Sequence, residues 1–265
     1  MDDMMIRNAN KIVIKVGSST ITSQDGTIDK DFLDNFILQV KTLMDQGKKV
    51  IIVSSGARIA GVSTIGKWSR QQDINYKQAL CSIGQVELMD SYRRIFNKHG
   101  IHIGQILLTK DDFENKDRTL NIRNTLFTLI DEGVVPIVNE NDTVSVDEIK
   151  IGDNDMLGAY TTVVWGGDLL LILSDIDGIY DCNPTDNPQA CLVDVVDDID
   201  KLEKEISIGE TSSFGTGGIQ TKLKAARMVN AYGIPMIVAH GKTKDIITQI
   251  SEGEKKGTLF LPRKA

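Results

Sequence analysis

The stretch KIVIKVG, residues 11–17, decides the fold class of this chain. It is a short apolar run, mostly β-branched, that stops at glycine, as a buried strand of a parallel sheet does. An amphipathic helix follows, because Phe32, Phe36 and Val40 recur at helical spacing before Gly47 ends the pattern. A strand followed directly by a helix is the repeating unit of an α/β sheet.

The same alternation of strand and helix continues along the chain. Further strands are predicted at residues 49–57, 101–109, 134–142, 168–175 and 234–241, and helices at residues 72–99 and 118–132, from about residue 153, and after a glycine loop within residues 215–233. Residues 143–152 are predicted to form a hairpin. We therefore predict an α/β fold, one domain over residues 1–265, with a mostly parallel sheet covered by helices on both faces. Such sheets bind ligands at the carboxyl ends of their strands.

The composition of the chain argues against several classes of protein. Its longest apolar runs, residues 134–138 and 169–173, are far shorter than the roughly 18 residues of a membrane helix. The formal net charge of −7, with no basic segment, argues against binding to nucleic acid. The first residues lack the layout of a secretory signal, and the cysteines form neither a CxxC pair nor a disulfide framework. We therefore expect a cytoplasmic protein that binds neither membranes nor nucleic acid.

Familiar patterns for nucleotide and metal sites are incomplete in this sequence. The stretch GVSTIGKW, residues 61–68, has the spacing of a Walker A loop but places Trp68 where a magnesium-binding Ser or Thr is required. The stretch GTGGIQ, residues 215–220, has Gln220 in place of the last glycine of the dinucleotide fingerprint. The histidines have no Cys or acidic partners at metal-ligand spacing. We therefore predict no metal site built from protein ligands.

The first predicted strand carries a lysine near its carboxyl end. Burying the ammonium group of Lys15 there would be costly unless an anion or a carboxylate met it, although a lysine at a sheet edge can also extend into solvent. Residues 17–20, Gly-Ser-Ser-Thr, add small side chains and backbone N–H groups that suit a phosphate. This edge of the sheet is a candidate phosphate site.

A second candidate phosphate site lies at residues 215–222. The glycines of this segment open a helix, whose amino terminus attracts anions. Lys222 is predicted in the first turn of that helix, where a cation is unfavourable unless a phosphate offsets it. The alternative is a solvated lysine.

Polar residues also accumulate at other predicted strand and helix ends. Ser55 lies in SSGA, residues 54–57, after the second strand, where its hydroxyl group could bind a carboxylate or simply form a turn. The stretch NEND, residues 139–142, and the stretch DND, residues 153–155, contain more polar groups than a turn or a helix cap requires. We interpret this excess as part of a binding site.

These segments also occur together in a known family. KVGSS, VSSGA, PIVNEND, IGDNDMLGA, SDIDGIYDCNP and GTGGIQTKLKAA appear in this order over residues 11–226. The set resembles the glutamate 5-kinases of the amino-acid kinase superfamily. The resemblance implies a three-layer α/β/α sandwich whose N-terminal half binds the amino acid and whose C-terminal half binds ATP. It also implies ATP- and Mg²⁺-dependent phosphorylation of the side-chain carboxylate of L-glutamate, the first step of proline biosynthesis.

The resemblance assigns roles to individual residues. Lys15 and Lys222 match the lysines that act on the transferring phosphoryl group, and Asp155 matches the carboxylate that orients them. The residues that match glutamate contacts are Ser55, Asp142 and Asn154. The residues that match ATP contacts are Lys15, Ser174, Asp175, Thr216, Gly217, Gly218, Ile219, Gln220, Thr221 and Lys222.

The chain also departs from the pattern of that family. Many members continue into a C-terminal PUA domain, which we do not expect here, and Arg58 places a charge after SSGA where a small or apolar residue is more usual. The resemblance further implies a homo-oligomer, a dimer or tetramer, and feedback inhibition by proline.

Two other functions remain open from sequence. Acetylglutamate, carbamate, aspartate and uridylate kinases share the sheet, but the NEND and GDND segments argue against them. A catalytically silent sensor of nucleotide and amino acid is the alternative from another class. The presence of Lys15, Lys222 and Asp155 together argues against it.

Overall fold

The computed structural model describes residues 2–23, 25–66, 73–145, 154–182, 184, 187–208 and 216–262. Its strands are β1 (Lys11–Val16), β2 (Lys49–Ser54), β3 (Ile103–Leu108), β4 (Val135–Glu140), β5 (Leu169–Ser174), β6 (Val195–Val196), β7 (Met236–His240) and β8 (Thr258–Phe260). Its helices are α1 (Asp2–Arg7), α2 (Ser18–Ile21), α3 (Lys30–Asp45), α4 (Ala57–Ile65), α5 (Ile74–Lys98), α6 (Lys110–Glu114), α7 (Lys116–Asp131), α8 (Asn154–Trp165), α9 (Ile199–Ile208), α10 (Thr216–Ala231) and α11 (Ile246–Ser251). In the described ranges, none of these helices is long and apolar enough to cross a membrane.

The strands form one sheet in the order β3-β4-β2-β1-β5-β7-β8-β6. Its strand pairs are parallel, except that β7 and β8 are antiparallel, so the prediction of a mostly parallel sheet is confirmed. β1 lies inside the sheet between β2 and β5. The strands β2 to β4 lie on one side of β1 in the sheet, and the strands β5 to β8 lie on the other side. Open α/β sheets bind ligands at the point where the strand order reverses in this way.

The side chains of β1 alternate between the two faces of the sheet. Ile12 and Ile14 pack with α3 and α5 in one apolar cluster, whereas Val13 packs with α7, α8 and α10 in another. Helices therefore cover both faces, and the predicted three-layer α/β/α sandwich is confirmed. Lys15 lies two residues after Val13, so its side chain points toward the layer that contains α8 and α10.

The helices α3 and α5 begin close to the positions predicted from the sequence. The side chain of Asp29 accepts a hydrogen bond of 3.0 Å from the backbone N–H of Phe32, and Asp73 accepts one of 3.2 Å from Tyr76. These carboxylates satisfy N–H groups that have no partner within the helix. Both caps also place a negative charge at the positive end of the helix dipole.

The helices α4 and α5 pack with their backbones in contact. A Cβ atom on Gly61 of α4 would lie 1.9 Å from the carbonyl oxygen of Leu80, and one on Gly84 of α5 would lie 1.7 Å from that of Ala57. Only glycine permits this approach at either position. Gly61 therefore belongs to a packed helix. Lys67 and Trp68, at the end of the GVSTIGKW stretch, lie outside the described residues, so the rejection of a Walker A motif stays a prediction.

The start of α10 differs from the sequence prediction. Residues 216–222 are helical rather than an open glycine loop, and Lys222 lies in the second turn of the helix. The prediction that Lys222 occupies the first turn is therefore wrong, because the helix already includes Gly217 and Gly218. The hairpin predicted at residues 143–152 lies mostly outside the described residues.

Candidate active site

A buried cluster of charged residues lies on the α8 and α10 face of β1. The Nζ of Lys15 is 2.6 Å from Oδ1 of Asp155, and the Nζ of Lys222 is 3.1 Å from Oδ2. The hydroxyl group of Thr221 also donates to Oδ2, over 3.1 Å. Asp155 is 2% exposed, and each lysine is 7% exposed. The structure thus brings together the three residues predicted to act on the phosphoryl group.

Three separate elements position this cluster. Lys15 comes from β1, Asp155 from the first turn of α8, and Lys222 from the second turn of α10. Gly158, one turn after Asp155, lies beside Lys15: a Cβ atom at this position would be 3.5 Å from the Cβ of Lys15. The carbonyl oxygen of Gly218 is 3.4 Å from the Nζ of Lys222 and turns that side chain back toward the start of α10.

The two lysines determine the charge state of Asp155. Burial, the largest influence, would raise the pKa of this carboxyl group, but the nearby ammonium groups of Lys15 and Lys222 outweigh it. The pKa of Asp155 therefore falls to about 2. At neutral pH the cluster contains one carboxylate and two lysines, which leaves it suited to bind an anion.

The segment after β1 is only partly as predicted. The N–H of Gly17 donates to the carbonyl oxygen of Leu173 over 3.1 Å, and the N–H of Thr20 donates to the carbonyl oxygen of Gly17 over 3.1 Å. The prediction of available N–H groups is therefore wrong for Gly17, whose N–H pairs with β5, and for Thr20, whose N–H bonds to the N-cap residue of α2. Ser18 and Ser19 begin the short helix α2.

The residues predicted to contact ATP lie at the same edge of the sheet. Ser174 ends β5, the neighbour of β1, and its hydroxyl group donates to Oδ1 of Asp175 over 3.1 Å. In α10, Gly218 is exposed, whereas Ile219 and Gln220 are half-buried. Thr216 and Gly217 complete the start of that helix. Their roles toward ATP stay predictions.

A second cluster, made of side-chain amides, lies next to the charged one. Nδ2 of Asn154 is within hydrogen-bond distance of the carbonyl oxygen of Ser54 (3.1 Å), of Oγ of Ser55 (2.8 Å) and of Oδ1 of Asn139 (2.9 Å). Asn154 immediately precedes Asp155, so the two clusters share the first turn of α8. Ser55 and Asn154, both predicted to contact glutamate, are therefore in direct contact with each other.

Asp142 lies in the turn that follows β4. Burial raises the pKa of its carboxyl group to about 6, although a hydrogen bond with the thiol of Cys81 acts in the opposite direction. The charge of Glu140 raises the pKa further, and that of Arg58 lowers it. Arg58, which departs from the family pattern, is thus close enough to influence the carboxylate predicted to bind glutamate.

Sequence reasoning missed two side chains that support this region. Oε1 of Gln85 accepts a hydrogen bond of 2.8 Å from Nδ2 of Asn139, and the hydroxyl group of Tyr92 lies 3.0 Å from Oγ of Ser54. Both lie within the long helix α5, where the periodic pattern assigns them only to a helix face. Nothing in the sequence distinguishes them from other residues of that face.

The sequence of this chain is similar to those of known proteins. Residues 10–240 match the model of the amino acid kinase family. The chain belongs to this family. A glutamate 5-kinase of Alkaliphilus oremlandii is 59% identical over 260 residues, and one of Alkaliphilus metalliredigens is 58% identical. Each alignment covers 98% of both chains, so the predicted resemblance to glutamate 5-kinases is confirmed.

Solved structures have the same fold as this chain. The UMP kinase of Bacillus anthracis superposes with a TM-score of 0.66 over 97% of both chains at 17% sequence identity. An isopentenyl phosphate kinase gives the same TM-score and identity over 94% of this chain. At such identity the likeness concerns the fold alone.

Proposed function

We propose that this chain is an ATP-dependent glutamate 5-kinase that converts L-glutamate to L-glutamyl 5-phosphate, the first step of proline biosynthesis. The observation that carries the proposal is the contact of Lys15 and Lys222 with opposite oxygens of Asp155, at the edge of the sheet where ligands bind. The glutamate 5-kinases that match over the whole chain support the same reaction.

The reaction needs no general base. A glutamate side chain has a pKa near ~4.3, so its carboxylate is already ionised at neutral pH. One carboxylate oxygen forms a bond to the γ-phosphorus of ATP while the bond from that phosphorus to the bridging oxygen breaks and ADP leaves. The protein has to align these atoms and stabilise the charge on the transferring group.

Lys15 and Lys222 supply the positive charge for this step. Their ammonium groups are held on one buried carboxylate, so they need little reorganisation when the phosphoryl group passes between substrates. Asp155 fixes their positions through its two carboxylate oxygens. Because Asp155 offsets only part of their charge, the remainder acts on the phosphoryl oxygens.

The amide cluster and Asp142 bind the amino acid. Asp142 pairs with the α-ammonium group of glutamate, and the hydroxyl group of Ser55 binds a carboxylate oxygen. Oδ1 of Asn154 is buried and has no hydrogen-bond partner among the described residues, which leaves an acceptor for a donor of the substrate. Asn154 and Asp155 are adjacent in α8, so a substrate bound at Asn154 lies next to the phosphoryl cluster.

ATP binds through Ser174, Asp175 and the start of α10, and Mg²⁺ enters with it. Among the described residues no group of three or more His, Cys, Asp or Glu side chains could hold a metal ion. Mg²⁺ usually keeps several waters and binds substrate phosphates rather than a protein cage, so we expect it to bind the phosphates of ATP. Bound there, Mg²⁺ neutralises phosphate charge. We further propose a cytoplasmic homo-oligomer that proline inhibits.

Hydroxamate formation tests the proposed reaction. The protein is incubated with ATP, Mg²⁺, hydroxylamine and one candidate acid, and hydroxamate from the acyl phosphate is measured. We expect product with L-glutamate and very little with aspartate, acetylglutamate or carbamate, and negligible ADP release without glutamate. Equal activity with another of these acids would contradict the assignment, and a protein that binds both ligands without turnover would be the silent sensor.

A further inference from the structure

The orientation of the Asn154 amide is determined by the backbone. Its Nδ2 lies 3.1 Å from the carbonyl oxygen of Ser54, which can only accept a hydrogen bond. The nitrogen of the amide must therefore face Ser54, Ser55 and Asn139, and Oδ1 must face the opposite direction. Asn154 is 4% exposed, so solvent cannot replace these contacts.

The orientation of Asn139 is determined in the same way. Its Oδ1 accepts a 2.8 Å hydrogen bond from the backbone N–H of Glu140, which can only donate, and is also 2.9 Å from Nδ2 of Asn154. Nδ2 of Asn139 must then point toward Gln85, whose Oε1 accepts from it over 2.8 Å. The backbone groups of Ser54 and Glu140 thus set the direction of every hydrogen bond in this chain of amides.

Gln85 occupies the end of this chain of amides. Asn139 is 2% exposed, so among the described residues Gln85 is the acceptor that keeps its Nδ2 from being buried unpaired. The same face of α5 contacts the segment after β4 at other points, through Ser82 with Thr143 and through Gln78 with the carbonyl oxygen of Ser145. Of these contacts, the Gln85 contact leads through Asn139 to Asn154.

We propose that Gln85 is a positioning residue for the amino-acid substrate, acting through Asn139 to hold Asn154 and Ser55 in the geometry that binds glutamate. This inference rests on the proposed function. Without the acceptor at position 85, Nδ2 of Asn139 has to move toward another partner, and Asn154 loses a contact that fixes its amide. The loss weakens glutamate binding and leaves ATP binding unaffected, because Lys15 and Lys222 do not depend on this chain of amides.

The test compares Gln85→Met with Gln78→Met. Methionine keeps the length of the side chain and the helix propensity but has no comparable acceptor. Gln78 is a matched control, since it lies on the same face of α5 and binds the backbone of the same segment at Ser145. Glutamate KM, ATP KM and kcat are measured by hydroxamate formation, and folding is followed by thermal unfolding.

We expect Gln85→Met to raise the glutamate KM roughly threefold to tenfold, as loss of one buried hydrogen bond does, with kcat and the ATP KM within about twofold of the parent. Gln78→Met should leave the glutamate KM within about twofold. In an Asn139→Ala background, Gln85→Met should add nothing further, because its effect passes through Asn139.

Other results would overturn the inference. An unchanged glutamate KM in Gln85→Met, a full additional effect in the Asn139→Ala background, or an equal effect from Gln78→Met would each make Gln85 a structural residue only. If Gln85→Met does not fold, Gln85→Ala is measured in the same way and is judged by the same outcomes. A parent protein that forms no hydroxamate with glutamate would instead refute the proposed function.

Discussion

The Nζ of Lys15 lies 2.6 Å from Oδ1 of Asp155, in a position where both side chains are almost inaccessible to solvent. A pair so deeply buried contributes little net stability, because desolvating both charges offsets their attraction. The buried contact between Lys15 and Asp155 is better explained by a role in the reaction than by a role in stability. Asp155 also binds Lys222, so the cluster as a whole retains positive charge at the edge of the sheet where a phosphoryl group would lie.

Replacing either lysine tests this role. We expect Lys15→Ala and Lys222→Ala each to lower kcat by roughly 10² to 10³, the scale of losing one electrostatic donor in a transition state. Initial rates of hydroxamate formation at saturating substrates measure the effect. Lys224→Ala is the control, since this lysine is exposed on the same helix and should change kcat little. A variant with normal kcat and only a higher ATP KM would make that lysine a binding residue alone.

Asp155→Asn removes the charge that holds both lysines. We expect kcat to fall more than the glutamate KM rises, and the free energy of unfolding in urea to drop by about 3 to 5 kcal/mol, because two buried ammonium groups lose their counter-charge. Asp200→Asn is the control for losing an ion pair at the surface, with Arg227, and should cost about 1 kcal/mol or less. Equal losses in the two variants would argue against a buried charged cluster.

Asp142→Asn separates substrate binding from catalysis. A contact with the α-ammonium group is the same in the ground and transition states, so its loss should raise KM and spare kcat. A charge-assisted hydrogen bond contributes about 1.5 to 3 kcal/mol, which corresponds to a glutamate KM raised roughly tenfold to a hundredfold. A glutamate titration at saturating ATP measures it. If Asp142 only forms a turn, the variant will saturate with glutamate like the parent.

The pH dependence of glutamate binding should follow Asp142. With its pKa raised to about 6, the carboxyl group is protonated below that pH and cannot pair with an ammonium group. The glutamate KM should therefore rise as the pH falls from about 7 to about 5 and should level off above about 7. The Asp142→Asn variant should not show this rise of the glutamate KM at low pH. An equal rise of the glutamate KM in both proteins would assign the titration to another group.

The strands β1 to β5 and β7 were predicted from the sequence because each contains a short apolar run next to glycine or polar residues, whereas β6 and β8, of two and three residues, are too short to give such a pattern and were not predicted. The helices α2 and α4 were not predicted, because α2 is only four residues long and the apolar residues of α4 do not form one stripe along the helix. The helix α4 is held in place by packing, through the contact of Gly61 with α5. This contact cannot be predicted from the local sequence pattern. The start of α10 also differs from the prediction, because the helix includes Gly217 and Gly218, which the sequence pattern assigned to a loop.

The charged cluster was predictable in composition but not in geometry. A lysine in an apolar strand and surplus carboxylates at a helix start indicate a site, and the family resemblance assigns Lys15, Lys222 and Asp155 to it. The sequence around Gln85 contains no such signal, because glutamine is common on the exposed faces of long helices. Its significance depends on Asn139, which lies opposite it only after β4 and α5 have packed together.

The central place of β1 in the sheet affects how this protein is made on the ribosome. β1 is synthesised early, but its neighbour β5 emerges only after most of the chain has been translated. Until then the nascent chain contains an apolar strand with one side uncovered, and Lys222, which lies still later in the chain, is not available to the cluster around Lys15. The first half of the chain therefore cannot complete its own core during translation. A protein cut short before α10 would bury Lys15 and Asp155 without their third partner and would be a substrate for chaperones and proteases rather than a smaller enzyme.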